Sequence, residues 1–139
     1  MMRRLILFFI SAIIFSVMLA QDTISNSSAQ WKRLIDAIVQ VESGGNPKAV
    51  GGNSVGILQI TPICLKECNN IRIQQKSPIR YTLSDRYDPS KSIEMFNLIQ
   101  DKYNPEHNLE RAIRLWNGGP RFSVKKTDRY FRKVMSHLM

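Results

Sequence analysis

The 139-residue sequence is poor in the side chains that build cross-linked or metal-stabilised folds. It has two cysteines, Cys64 and Cys68, and two histidines, His107 and His137. Two cysteines cannot make a disulfide framework. The histidines are far apart and at no ligand-like spacing to either cysteine, so no zinc site is expected, nor any other metal or cofactor. The chain has no internal repeat and no low-complexity segment. At 43% hydrophobic and 22% charged residues it has enough apolar side chain for a core, which excludes a disordered chain. Acids are scarce: 11 Asp and Glu stand against 20 Lys and Arg, a formal charge of +9. That surplus favours an anionic partner or simply a solubilising surface.

A long apolar span is also missing. Leu5 to Ala20 is an uncharged run of sixteen residues behind the basic Met1-Met2-Arg3-Arg4. A membrane-spanning helix needs about twenty apolar residues. The run reads as a secretory signal peptide over residues 1–20, cleaved after Ala20. Export to the periplasm or cell envelope follows, with no stable membrane insertion after cleavage. Arg3 and Arg4 leave with the leader, so the mature part carries +7. Residues 21–29 are polar and read as a linker, leaving residues 30–139 as one domain, expected to be monomeric.

Hydrophobic period supplies the helices. Trp31, Leu34, Ile35 and Ile38 recur at i, i+3, i+4 and i+7, an amphipathic helix over 30–43 with Ser28 as its N-cap. Extending that stripe by four residues lands on Glu42, and Gly44-Gly45-Asn46-Pro47 then stops the helix. The glycine-rich stretch 47–60 reads as an irregular loop or a small hairpin. Thr61-Pro62 and Asp88-Pro89 are cap-then-proline signals that open a second helix, to about Ile73, and a third carrying Ile93, Phe96 and Ile99 inward. Gln74 to Tyr87 reads as a basic, polar connection. A fourth helix runs from about Asn108 to Gly118-Gly119-Pro120, and a fifth starts near Thr127 with Tyr130, Phe131, Val134 and Leu138 inward. The expected fold class is all-α, or α-rich α+β: a compact domain of about five helices.

Glu42 is the most informative residue. A carboxyl on an apolar stripe is penalised by desolvation, and the negative end of the helix dipole pushes the same way. Both favour the protonated form, the state that a general acid needs near neutral pH.

Several blocks follow it in order. Glu42-Ser43 precedes Asn46-Pro47-x-Ala49 and then Gly56-Ile57-Leu58-Gln59-Ile60-Thr61-Pro62. Trp116-Asn117-Gly118-Gly119-Pro120 and Tyr130-x-x-Lys133-Val134 come later. The set resembles the soluble lytic transglycosylase family, whose pattern is Glu-Ser, Asn-Pro-x-Ala, Gly-Leu-Met-Gln-Ile-x-Pro, Tyr-Asn-Ala-Gly-Pro and Tyr-x-x-Lys-Val. The resemblance covers roughly residues 30–135. It implies a lysozyme-like fold and cleavage of peptidoglycan with Glu42 as the single catalytic acid/base. It also implies substrate contacts at Ser43, Gly56, Gln59, Trp116 and Asn117. Trp116 departs from the pattern: the family has a tyrosine there, whose hydroxyl lies near the catalytic acid. The implied partner is the peptidoglycan glycan strand.

Two other readings share the fold: a hydrolytic goose-type lysozyme and a non-catalytic peptidoglycan-binding module. An inverting hydrolase needs a second carboxylate about 6.5–9.5 Å away. Asp85, in the uncapped loop Ser84-Asp85-Arg86-Tyr87, is the candidate. Cys64 and Cys68 read as two buried small apolar residues, because their spacing within one helical turn suits a disulfide poorly. Lys125, Lys126, Arg129, Arg132 and Lys133 cluster near the C-terminus, as a solvated helix face or as an attraction to the anionic wall. Nucleic acid is not expected as a partner of an exported chain without a basic recognition stripe on one helix.

Overall fold

The computed structural model describes residues 25–139; the leader reading, at residues 1–20, lies outside the described residues. Residues 34–139 form one packed unit, and residues 25–33, which belong to the other, are helical throughout. The first helix (α1) covers residues 25–43, so the last five positions of the expected linker are helical instead. Their polarity hides this from a hydrophobic-period reading. Among the described residues no helix is long and apolar enough to cross a membrane.

The glycine-rich stretch is a two-stranded antiparallel hairpin, β1 (Val50–Gly51) and β2 (Ser54–Val55), extended by a bridge between Val55 and Ile60. Helix α2 (Pro62–Gln74) starts where the cap-then-proline signal puts it, with the Thr61 hydroxyl accepting from the Cys64 amide at 3.1 Å. A 3-10 helix, Leu83–Tyr87, sits within the stretch read as a plain connection. Helix α3 (Pro89–Tyr103) is capped by Asp88, and α4 (Leu109–Gly118) by Asn108. Helix α5 (Val124–Leu138) begins three residues earlier than its apolar stripe, because Ser123 caps it and two lysines occupy its first turn. The outcome is the α-rich domain of five helices and a small hairpin that the sequence leads one to expect.

Leu34 and Ile38 of α1, Leu58 and Ile60 just after the hairpin, Cys68 of α2, Met95 and Phe96 of α3, Ile113 of α4 and Val134 of α5 are almost wholly buried, so all five helices contribute to one core. The interior also holds polar side chains, each tied to backbone or to a partner. Arg114 of α4 pairs with Glu110 at 2.8 Å and with Asp128 at 3.6 Å. It also donates to the Val124 carbonyl and covers the Phe131 ring, fastening α4 to α5. Asn104 joins α3 to α4 by donating to Gln100 and to the Asn108 carbonyl.

Arg86 does the same for the hairpin. Its guanidinium donates to the carbonyls of Leu83, Asn53 and Ile60, at 2.9–3.0 Å. Its own carbonyl lies so close to Gly56 that a Cβ there would sit 1.9 Å from it, and Gly56 has φ +80°. Only glycine fits that contact and that conformation.

Candidate active site

A groove of about 670 Å³ crosses residues 34–139. It is lined by the end of α1, the hairpin, α2 and the carboxyl ends of α3 and α4. Glu42 stands on its wall, one residue from the C-terminus of α1. The apolar stripe that buries Leu34 and Ile38 turns this carboxyl inward, as its spacing predicts. Burial raises its pKa above the ordinary value of 4.5. A hydrogen bond from Tyr130 and the charge of Lys133 offset part of that rise.

The Tyr130 hydroxyl donates to Glu42 Oε1 at 2.5 Å, across 88 positions of sequence. Tyr130 is half-buried on α5, and burial and the adjacent carboxyl push its phenol far up. It therefore remains a donor over the whole working range. One oxygen of Glu42 is held in place while the residue lines an open groove. That arrangement suits a proton donor, with a fixed carboxyl in a partly dry setting.

Gln59, Trp116 and Asn117 line the same groove. Gln59 is held in the left-handed region, at φ +49°, and its amide nitrogen donates to the carbonyls of Gly56 and Ala49 at 2.9 and 3.3 Å. The side chain is thus locked against the hairpin base. Trp116 donates from Nε1 to the Leu58 carbonyl at 3.2 Å and packs its ring 4.9 Å from that of Phe96. Its indole walls the groove and holds the turn that carries Gln59.

Three expected site residues are not among those lining the groove. The Ser43 hydroxyl donates to the Ile57 carbonyl at 2.8 Å and accepts from the Gly45 amide, so it latches the helix end to the hairpin. Gly56 is buried against Arg86 rather than approaching the cleft. Asp85 is not in an uncapped loop: its carboxylate accepts from the Thr82 amide at 2.7 Å and faces Lys91 at 3.4 Å. These contacts hold it below the usual carboxylate range and commit it to capping the 3-10 helix.

Sequence reasoning gave no role to Glu67, the second carboxyl on the groove wall. Its Oε1 accepts from Lys102 Nζ and from the Tyr103 hydroxyl, both at 2.7 Å, and its Oε2 accepts from Asn70 at 3.4 Å. Lys102 and Tyr103 hold its pKa down, so it is ionised. Tyr130 was legible only as an inward residue of the last helix and as the first letter of the Tyr-x-x-Lys-Val block. Its meeting with Glu42 is purely tertiary. Cys68 is fully buried and Cys64 is partly exposed on the groove wall; both are free thiols.

The family model described as transglycosylase SLT domain matches residues 21–137. The chain belongs to the transglycosylase SLT domain family. Among curated proteins it is similar to a protein named "Transglycosylase" from Enterobacteria phage PRD1, at 27% identity over 124 residues. That match covers 84% of this chain and 42% of the phage protein, so the chain spans less than half of the relative's length. No solved structure matches it. Within this SLT domain the tyrosine implied at position 116 is a tryptophan, and the hydroxyl that touches the Glu42 carboxyl comes from Tyr130.

Proposed function

We propose that the domain is an exported lytic transglycosylase of peptidoglycan with Glu42 as its single acid/base. The substrate bond is the β-1,4 link between N-acetylmuramic acid and N-acetylglucosamine. Glu42, protonated, gives its proton to the glycosidic oxygen as the C1–O bond breaks. The muramoyl N-acetyl carbonyl stabilises the positive charge that develops at C1. The Glu42 carboxylate then takes the proton of the same sugar's C6 hydroxyl, whose oxygen closes onto C1 as a 1,6-anhydro ring. No water is consumed, and Glu42 ends as it began.

The observation that carries this reading is the pairing of a desolvated Glu42 with Tyr130 on the wall of a groove. An inverting hydrolytic alternative asks for a second carboxylate free to activate water. Asp85 is engaged in capping, and Glu67 is held ionised by an ammonium and a phenol. A carboxylate stabilised in its charged form is a poor proton acceptor. Trp116 and the locked Gln59 offer a flat face and a polar edge to the sugars. Export rests on the leader alone.

Mass spectrometry of peptidoglycan digested by the purified protein tests the proposal. Anhydro-muropeptides, lighter by one water than hydrolytic products, are the expected result. Reducing ends would show a lysozyme instead, and bound protein without any release would show a binding module.

A further inference from the structure

The positive charge of this chain is concentrated at one end. Residues 111–139 hold eight Lys and Arg against one acid, Asp128, a surplus of seven out of the chain's +9. Most of it lies on α5. At 100° per residue, Lys125, Lys126, Arg129, Arg132 and Lys133 fall within one third of the helix circumference, opposite Thr127 and Val134, which are buried. All five are exposed. The cluster that the sequence shows near the C-terminus thus lies on a single helix.

Local electrostatics disfavour this arrangement twice. Lys125 and Arg129, then Arg129 and Lys133, are like charges four residues apart, which weakens a helix. Lys125 and Lys126 also sit in the first turn, which contains no acid, against the positive end of the helix dipole. Among the described residues, Arg132 at the stripe's edge is paired with Asp128. An ordinary solvated face mixes both signs, and this one does not.

The helix that carries the stripe also reaches the groove wall at Glu42. Tyr130, on the same helix, touches the Glu42 carboxyl, and Lys133 of the stripe is close enough to act on its charge. We infer that the α5 stripe is a docking surface for the carboxylates of the peptides borne by a peptidoglycan strand, seated as that strand enters the groove beside Glu42. The inference rests on the substrate reading above and adds to it a part of the substrate that the groove itself does not grip. It makes the peptides, rather than the sugars alone, a source of affinity, and it makes that affinity sensitive to salt.

The test is the double substitution Lys125→Gln/Arg129→Gln, with folding checked by circular dichroism. Pelleting assays use intact sacculi, sacculi stripped of peptide by an amidase, and vesicles containing anionic lipid. Binding is measured in the Glu42→Gln background across a series of NaCl concentrations, and cleavage in the wild-type background. The expected result is a loss of roughly tenfold or more in affinity for intact sacculi at low salt, with a shallower salt dependence. The preference for intact over stripped sacculi, in binding and in cleavage, should collapse with it. Unchanged affinity and salt dependence would overturn the inference, as would an equal loss on stripped sacculi. So would charge-dependent binding to vesicles with affinity for sacculi unmoved. If the charges govern binding to sacculi but the wild-type protein releases no product, the docking surface stands and the enzymatic reading fails.

Discussion

Replacing Glu42 with glutamine should abolish activity without loosening the fold. The amide keeps the size of the side chain and keeps an oxygen to accept the 2.5 Å hydrogen bond from Tyr130. It cannot give up a proton, and removal of a positioned acid typically costs 10²–10⁴-fold in rate. The pKa of Glu42 is raised above 4.5 on folding, by burial first, so the folded chain keeps this proton over a range where the unfolded chain has lost it. Stability from this group therefore falls as pH rises from about 4.5 through the folded-state pKa, and stays lowered above it. Glutamine escapes that loss. The variant should match the wild type in acid and exceed it at neutral pH by on the order of 1 kcal/mol, the size that replacing a strained functional group commonly gives. For a domain of this length that is an increase of roughly 3–5 °C in Tm. Product release from sacculi and thermal melts at a series of pH values measure both effects. A variant that still cleaves, or one less stable than wild type by the same margin at every pH, would refute the reasoning.

Tyr130→Phe removes the hydrogen bond that partly offsets the burial of Glu42, so the Glu42 pKa should rise further. A protonated acid is needed, so the alkaline limb of the pH–rate profile should move to higher pH, with the maximal rate reduced by roughly tenfold through loss of positioning. Gly56→Ala would drive a Cβ into the Arg86 carbonyl at 1.9 Å in a backbone with φ +80°. Strain and overpacking together should destabilise it by about 3 kcal/mol or more, read from urea unfolding. Trp116→Phe gives up the bond to the Leu58 carbonyl and part of the groove wall. It should lose about 1 kcal/mol of stability and bind glycan more weakly in a direct titration.

What was readable in the sequence is what short-range chemistry determines. Thr61-Pro62, Asp88-Pro89 and Asn108 begin helices where a side-chain oxygen meets a free amide two or three residues on, and all three do so here. The inward turn of Glu42 follows from Leu34 and Ile38 by period alone. The start of α5 was missed because its first turn is lysine rather than apolar, which leaves Ser123 as the sole signal. Asp85 was misread for a related reason. Its partner is the amide of Thr82, which it meets across a 3-10 turn with no apolar stripe to announce it. Ser43 and Gly56 do lie near Glu42 and Gln59 in sequence, but their contacts go to Ile57 and Arg86, which no spacing rule connects to them. The hydroxyl on Glu42 is the clearest case. A tyrosine 88 residues away reaches it only because Arg114 fastens α5 to α4 and both helices close on the same core.

The groove carries two carboxyls, and their surroundings push them apart. Burial raises the pKa of Glu42 against the opposing effects of the Tyr130 hydroxyl and the Lys133 charge, whereas an ammonium and a phenol hold that of Glu67 down. Environment rather than residue type assigns such roles. A strongly stabilised carboxylate binds donors well but takes protons poorly, which suits Glu67 to gripping hydroxyl or amide groups of a ligand. Any proton removed in the reaction must then return to the group that released one. In the proposed reaction that group is Glu42, still held by Tyr130, and the nucleophile is one already attached to the bound sugar. The proposed 1,6-anhydro route uses this asymmetry, because the Lys102–Glu67–Tyr103 cluster is not built to supply the second base that an inverting attack by water requires.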